Sequence, residues 1–134
     1  MPAASSRSPH LTQATKAFVD AIIAENNPPL YTLPPQAARR ILADAQAKPI
    51  RKLAMDIHDE DLPVGPTGKV PTRFIRSEGA GGKLPIVFYF HGGGWILGDK
   101  DTHDRLVREL SKGARAAVVY PNYTPSPEAQ YPVP

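Results

Sequence analysis

The feature that most constrains this 134-residue chain is an uncharged run, residues 85–90, that leads into three consecutive glycines. The run reads Pro-Ile-Val-Phe-Tyr-Phe, and its β-branched and aromatic residues predict a strand buried on both faces, as in the interior of a parallel sheet. Gly92, Gly93 and Gly94 follow directly after His91. Residues without a Cβ let the backbone adopt positive φ and let a ligand reach the N–H groups. The pattern therefore predicts a strand whose end presents backbone donors to an anion.

A helix and a second buried strand are predicted after the glycines. Asp101 is suited to cap the helix, Asp104 lies in its first turn, where a carboxylate favours the helix dipole, and Gly113 would end it. The apolar face of this helix would consist of Leu106, Val107 and Leu110. Residues 116–120, Ala-Ala-Val-Val-Tyr, predict the second buried strand. A strand, a helix and a strand in this order imply a parallel, right-handed βαβ unit, with the glycines at the carboxyl end of the sheet, where such folds bind ligands.

Two helices and a hairpin are predicted before the central strand. The first helix begins near Leu11, ends near Asn26 and has an apolar face formed by Ala14, Phe18, Ala21 and Ile22. The second begins at Pro34 and Pro35 and has apolar residues at Ala38, Ile41, Leu42 and Ala45. Residues 51–61 and 70–76 predict two antiparallel strands around a turn at residues 63–68. Residues 1–9 are expected to be a disordered tail.

Composition argues against several classes of protein. The chain has no cysteine, which excludes a disulfide framework and a thiolate zinc site. Its net charge is only +3, and its basic residues are scattered without interleaved aromatic residues, so no nucleic-acid partner is expected. No run is long enough for a membrane span, and residues 1–10 lack the apolar core of a signal peptide, so we expect a cytoplasmic protein.

Metal and nucleotide sites are also disfavoured. The acidic residues of His58-Asp59-Glu60-Asp61 fit the solvent-facing side of a strand better than a metal site, and no metal is expected. Gly93 and Gly98 have the spacing of a phosphate-binding loop, but the acids of Asp99-Lys100-Asp101 would repel phosphate. The dinucleotide pattern fails because Leu97 stands where its third glycine belongs. No cofactor is therefore expected.

The run His91-Gly92-Gly93-Gly94-Trp95 resembles the oxyanion-hole loop of the hormone-sensitive-lipase-like carboxylesterases, a branch of the α/β-hydrolase fold. Residues 98–104 continue as that family does. Residues 123–132 look like its Tyr-x-Leu-Ala-Pro-Glu-x-x-aromatic-Pro segment, with matches at Tyr123, Pro127, Glu128, Tyr131 and Pro132 and departures at Pro125 and Ser126.

The resemblance covers residues 50–134 and implies an α/β fold: the amino-terminal part of an α/β-hydrolase domain. The implied domain has a mostly parallel sheet, an antiparallel opening hairpin and amino-terminal cap helices. The expected division is a tail at 1–9, cap helices at 10–49 and an incomplete hydrolase domain at 50–134. Whether the two helices cover an active site or merely pack on the sheet stays open.

The resemblance also assigns roles to residues. It implies that the amides of Gly92, Gly93 and Gly94 form the oxyanion hole, where the alternative is a tight turn between strand and helix. It makes His91 a loop-positioning residue, and Trp95 is either core or a pocket wall. Glu128 matches a family position for which we have no chemical role.

The family's nucleophile lies in Gly-x-Ser-x-Gly, and no serine of this chain has that context. The resemblance places the whole catalytic triad downstream of Pro134, so no catalytic residue is expected in this chain. The sequence therefore predicts a serine carboxylesterase for short or medium acyl esters, to which this chain contributes the oxyanion hole while being inactive alone. The alternative is a non-catalytic, truncated binding or assembly module. The expected partners are a small acyl ester and either the missing carboxyl-terminal polypeptide or a second copy.

Overall fold

The computed structural model describes residues 10–134, so the tail predicted for residues 1–9 lies outside the described residues. The described chain contains the helices α1 (Gln13–Ala24), α2 (Pro35–Gln46) and α3 (Asp104–Ala114) and the strands β1 (Met55–Leu62), β2 (Val70–Ser77), β3 (Ile86–Phe88) and β4 (Ala117–Pro121). It forms two compact units with their boundary between Leu33 and Pro34. The predicted division into cap helices at 10–49 and a hydrolase domain at 50–134 stays a prediction. Among the helices of residues 10–134, none qualifies as a membrane span by length and hydropathy.

The first unit contains α1 and a 3₁₀ turn at Leu30–Thr32. The helix begins at Gln13 because Thr12 caps it: the Thr12 side chain accepts a hydrogen bond of 3.2 Å from the Thr15 N–H. It ends at Ala24, close to the predicted stop at Asn26, which adopts a left-handed φ of 49°. The predicted helix is therefore confirmed.

The second unit is built on a four-stranded sheet with the order β1-β2-β4-β3. The antiparallel hairpin of β1 and β2 is confirmed, with Leu62 opposite Val70 at its turn, although β1 begins at Met55 rather than Arg51. Strand β4 pairs antiparallel with β2 and parallel with β3. The parallel strand-helix-strand unit is thus confirmed, but within the described residues the sheet is mixed rather than mostly parallel.

The core of this unit lies between the sheet and α3. Its fully buried residues are Ile75, Val107, Val118 and Tyr120, against which Met55, Ile57, Val87 and Tyr89 pack. Buried Ser111 of α3 donates a hydrogen bond of 2.8 Å to the Ala116 carbonyl, which joins the end of the helix to the start of β4. This packing fixes the position of the segments that follow β3 and β4.

The prediction that residues 85–90 are buried on both faces is wrong for the described chain. Strand β3 has only three residues and lies at an edge of the sheet. Val87 and Tyr89 face the core, whereas Ile86, Phe88 and Phe90 are exposed, Phe88 to 64%. An apolar run indicates that both faces can be buried, but the partner that covers the second face is not specified by the run itself.

The start and end of α3 also differ from the prediction. Asp101 does not cap the helix; instead the Asp99 carboxylate accepts hydrogen bonds from the N–H groups of Asp101 and Thr102, at 2.9 and 2.7 Å, and stabilises a turn before the helix. Gly113 lies inside α3, and the left-handed residue that ends it is Arg115. On the predicted apolar face only Val107 is buried, while Leu106 and Leu110 are exposed because α3 meets the sheet along a narrow stripe.

Candidate active site

The glycine loop, defined here as residues 91–98, follows β3 and folds back on itself. The backbone φ angles of Gly93, Gly94 and Trp95 are 133°, 62° and 58°, so three consecutive residues adopt positive φ. The Gly93 carbonyl accepts hydrogen bonds from the N–H groups of Ile96 at 3.2 Å and Leu97 at 2.9 Å. The loop therefore contains a tight turn closed on one carbonyl.

Steric contacts demand glycine at some positions of the loop and not at others. A Cβ on Gly93 would lie 2.0 Å from the Leu97 carbonyl oxygen, and a Cβ on Gly98 would lie 2.7 Å from Nδ1 of His91. A Cβ on Gly92 or Gly94 would meet no heavy atom within 4 Å. Gly93 and Gly98 are thus required by the fold of the loop, whereas the space beside Gly92 and Gly94 is open to a ligand.

The amide groups of the three glycines have no protein acceptor in the part of the chain that the structure describes. No residue within 10–134 accepts a hydrogen bond from the N–H of Gly92, Gly93 or Gly94, and all three residues are exposed. Backbone N–H groups are strong donors, and exposed ones without a protein acceptor are available to water or to a ligand. Three successive unpaired donors at the carboxyl end of a parallel strand form a site suited to an anionic or partly anionic oxygen.

His91 is held in a stack of aromatic rings behind the glycines. Its imidazole is 5% exposed and lies parallel to the ring of Tyr123, with 4.4 Å between centroids, and to that of Tyr120, with 5.7 Å. The Tyr123 hydroxyl donates a hydrogen bond of 2.9 Å to the His91 carbonyl. Tyr123 reaches His91 because β3 and β4 are parallel, so that the segments after both strands meet at one edge of the sheet. The role of His91 in positioning the loop stays a prediction.

Burial disfavours the charged form of two other rings in this cluster. The ring of His103 has its centroid 5.2 Å from that of His91 and is tilted against it by 41°, and burial lowers the pKa of its imidazole. Burial likewise raises the pKa of the Tyr120 hydroxyl well above its usual range. The glycine loop thus lies beside two rings on which burial disfavours charge.

A guanidinium on α2, which the sequence did not single out, holds the end of the glycine loop. Arg39 donates hydrogen bonds to the Ile96 carbonyl at 2.7 Å and to the Ser126 carbonyl at 2.8 Å. It also forms a two-point ion pair with Glu128, whose oxygens lie 2.7 and 2.8 Å from Nη1 and Nη2. Hydrogen bonds from Arg39 lower the pKa of the Glu128 carboxyl to about 2. Glu128 therefore has a structural partner, separated from it by 89 positions in the sequence.

A groove of about 670 Å³ opens beside the glycine loop. It is lined by Leu42, Gln46, Gly92, Gly93, Leu97, Thr102, His103, Arg105, Leu106 and Glu109. Trp95 does not line this groove and is 65% exposed, so it is not part of the core of residues 10–134; its role as a pocket wall stays a prediction. The groove brings apolar side chains within reach of two of the unpaired amides.

The acidic residues of β1 are engaged in ion pairs with neighbouring cations. Asp59 binds Nε and Nη2 of Arg73 at 2.7 and 2.8 Å, and Asp61 pairs with Lys69 at 2.8 Å. Within residues 10–134 no group of three His, Cys, Asp or Glu side chains could hold a metal ion. These carboxylates therefore stabilise the hairpin.

Known proteins are similar to this chain in fold and in sequence. The family model described as alpha/beta hydrolase fold matches residues 87–134. A putative alpha/beta hydrolase of Acanthamoeba polyphaga mimivirus is 36% identical over 117 residues, which are 87% of this chain and 32% of that protein. The carboxylic ester hydrolase LipN of Mycobacterium tuberculosis is 41% identical over 86 residues, 64% of this chain and 22% of LipN. The crystal structure of a thermostable esterase from Pseudomonas putida superimposes with a TM-score of 0.87 at 39% identity, covering 96% of this chain and 40% of the esterase.

The family model and the superposition show that the chain has the α/β-hydrolase fold. The matches to LipN and to the Pseudomonas putida esterase support the predicted resemblance to carboxylesterases of this fold. The chain spans less than half the length of each of these three relatives.

Proposed function

We propose that the protein containing this chain is a serine carboxylesterase acting on short or medium acyl esters, and that the glycine loop forms its oxyanion hole. The observation that carries the proposal is the set of unpaired amides of Gly92, Gly93 and Gly94 after β3. The stack of His91 with Tyr120 and Tyr123 behind the loop supports it, because an oxyanion hole works by fixed dipoles in a site that does not rearrange.

The contribution of this chain would be to stabilise charge. When a serine Oγ attacks the ester carbonyl, its proton passes to a histidine and negative charge develops on the carbonyl oxygen. Amides already aimed at that oxygen stabilise it, and the loss of one such donor costs about 2.7 to 4 kcal/mol. Since no serine in the printed sequence lies in Gly-x-Ser-x-Gly, the serine, histidine and acid would come from sequence outside these 134 residues.

The groove supports the proposed class of substrate. Its volume of about 670 Å³ falls within the usual range for small-molecule sites, and Leu42, Leu97 and Leu106 give it apolar walls beside Gly92 and Gly93. An acyl chain lying there would place its ester carbonyl near the unpaired amides. A charged substrate would gain little from these leucines.

Hydrolysis of p-nitrophenyl butyrate tests the proposal. The homogeneous 134-residue chain should show only background release of p-nitrophenol, whereas the chain together with a polypeptide that carries Gly-x-Ser-x-Gly should turn over. Intact mass of every polypeptide in the sample shows which case is measured. Turnover by the homogeneous chain that Gly93→Val abolishes would refute the proposed division of roles, and no turnover with the serine-bearing polypeptide present would refute the esterase.

A non-catalytic assembly module is the second candidate, favoured by the uncovered face of β3. Ile86 and Phe88 of the edge strand β3 and Phe90 just beyond it are all exposed, and such surfaces usually mark contact sites. The partner would be the remaining polypeptide or a second copy. Light scattering after size-exclusion chromatography distinguishes these cases: a dimer lost in Phe88→Asp but kept in Tyr131→Asp would support self-association, and a monodisperse monomer would count against it.

A further inference from the structure

The guanidinium of Arg39 on α2 joins this helix to two other segments of the second unit. Nε binds the carbonyl of Ile96 in the glycine loop, and Nη2 binds the carbonyl of Ser126 in the segment after β4. Glu128 holds the other side of the fork through both of its oxygens. The planar fork of arginine is suited to this arrangement, because its donors have fixed directions.

A direct line of hydrogen bonds and peptide planes leads from Arg39 to Gly94. The carbonyl of Ile96 shares a rigid peptide plane with the Leu97 N–H, which donates to the Gly93 carbonyl at 2.9 Å. The Gly93 carbonyl in turn shares its peptide plane with the Gly94 N–H. Fixing the Ile96 carbonyl therefore limits the direction in which the Gly94 amide points.

A second line of hydrogen bonds from Arg39 also ends on the Gly93 carbonyl. The Ser126 N–H donates to the Trp95 carbonyl at 2.7 Å, and the Trp95 carbonyl shares a peptide plane with the Ile96 N–H. That N–H also donates to the Gly93 carbonyl, at 3.2 Å. Since Arg39 binds the Ser126 carbonyl, it supports both lines.

We propose that Arg39 is a positioning residue that fixes the peptide plane carrying the Gly94 amide. The part of the proposal that makes this amide a donor to the oxyanion rests on the esterase function proposed above. Glycines have the widest backbone freedom of any residue, so a loop with Gly92, Gly93 and Gly94 in succession needs an external constraint to keep its donors aimed. Arg39 supplies that constraint from α2 without touching the substrate.

Hydrogen exchange tests the positioning without requiring turnover. The amides of Ile96 and Leu97 are the ones that the two lines protect, so in Arg39→Gln a peptide covering residues 93–98 should exchange at least about tenfold faster. Arg40→Gln is the matched control, because Arg40 is the exposed next residue and makes no ion pair or side-chain hydrogen bond within residues 10–134. Unchanged exchange of this peptide in Arg39→Gln would overturn the proposal.

Two further variants keep the test decisive if Arg39→Gln unfolds. Arg39→Lys keeps the charge without the fork and should give intermediate protection, and Glu128→Gln should loosen the same peptide while α3 and β4 keep their protection. Equal loss of protection in α3 and β4 in every variant would mean a global stability role and would overturn the proposal.

Kinetics then separate this proposal from the esterase itself. In a preparation that hydrolyses p-nitrophenyl butyrate, Arg39→Gln should lower kcat about tenfold or more with KM little changed, since a misdirected donor weakens only the transition state. Faster exchange with unchanged kcat would overturn the link to Gly94. Absence of turnover in the unmodified protein would refute the esterase and leave the exchange result to decide the role of Arg39 in the loop.

Discussion

The imidazole of His91 lies flat against the phenol ring of Tyr123, with centroids 4.4 Å apart and planes tilted by 5°. The hydroxyl of the same tyrosine donates to the His91 carbonyl at 2.9 Å. A single residue of the segment after β4 therefore holds both the side chain and the backbone of His91 at the start of the glycine loop. The His91 carbonyl shares its peptide plane with the Gly92 N–H. Tyr123 thereby limits the direction of the first of the three unpaired amides.

Tyr123→Phe isolates the hydrogen bond from the stacking. The ring contact with His91 stays, but the His91 carbonyl loses its donor, and we expect the free energy of unfolding to fall by about 1 kcal/mol. Tyr131→Phe is the control, because Tyr131 is 96% exposed. Urea unfolding of both variants measures the difference; equal stability of the two would show that the hydroxyl contributes nothing.

Gly93→Ala should be far more damaging than Gly92→Ala. The added Cβ at position 93 would lie 2.0 Å from the Leu97 oxygen at a φ of 133°, whereas the Cβ at position 92 meets nothing within 4 Å. We expect a loss of about 3 kcal/mol for Gly93→Ala, from overpacking and backbone strain, and less than about 1 kcal/mol for Gly92→Ala. Thermal unfolding of the pair would contradict this if the two midpoints fell together.

Much of the fold could be predicted because its signals are local. The antiparallel hairpin, the proline start of α2 and the strand-helix-strand unit all follow from runs of a few residues. The burial of β3 could not be predicted from its run, because burial depends on which segment lies against the exposed face of Phe88.

The candidate site could also be predicted in part, because the glycine run is a local signal. Three consecutive glycines indicate a backbone whose N–H groups a ligand can reach, and the structure leaves these amides without a protein acceptor in residues 10–134. The ion pair of Arg39 with Glu128 could not be predicted from a local pattern, since 89 positions separate the two residues. No motif around either residue indicates that the other is its partner. Only the parallel register of β3 and β4, which brings the segments after both strands to one edge, places Glu128 near the loop.

Lowering the pH should remove the contribution of Glu128 to stability. Hydrogen bonds from Arg39 lower its pKa from the usual 4.5 to about 2 in the folded chain. A carboxyl with a lowered folded pKa stabilises the protein above the unfolded value and loses that contribution as pH falls towards the folded value. Unfolding free energy measured between pH 6 and pH 2 should therefore fall less steeply in Glu128→Gln than in the unmodified chain.

Glu78→Gln provides the control for that pH series. Glu78 is exposed in the turn after β2 and forms no ion pair within residues 10–134. Its substitution should leave the slope unchanged. Parallel curves for Glu128→Gln and the unmodified protein would show that the ion pair does not titrate in this range.

Asp104→Asn should be the most destabilising of the charge substitutions. The Asp104 side chain is 6% exposed and accepts ion pairs from Lys52 at 2.7 Å and Arg108 at 2.9 Å. Burial alone would raise its pKa, but the hydrogen bonds from Lys52 and Arg108 outweigh burial and lower it. Removing the carboxylate leaves the largely buried Arg108 without its partner, whereas Lys52 is 45% exposed and is compensated by water, so we expect a loss of about 2 kcal/mol. Asp44→Asn is the control, because Asp44 is exposed on α2, and it should cost less than about 0.5 kcal/mol of unfolding free energy in urea. Similar losses for Asp104→Asn and Asp44→Asn would show that the ion pairs of Asp104 contribute little.

The end of α3 can be tested by substitutions at the two possible stop residues, Arg115 and Gly113. Arg115 has φ 51° and ψ 43°, the left-handed conformation in which glycine is favoured, whereas Gly113 lies in the helix, and a Cβ added to it would meet no heavy atom within 4 Å. Arg115→Gly should therefore stabilise the chain by about 0.5 to 1 kcal/mol, because an L side chain is strained in that conformation. Gly113→Ala should stabilise it by a similar amount, because alanine is the better helix former. If Gly113 ended the helix, as its sequence position suggested, Gly113→Ala would instead lower the midpoint of thermal unfolding. The direction of the midpoint shift in Gly113→Ala therefore decides whether α3 ends at Gly113 or at Arg115.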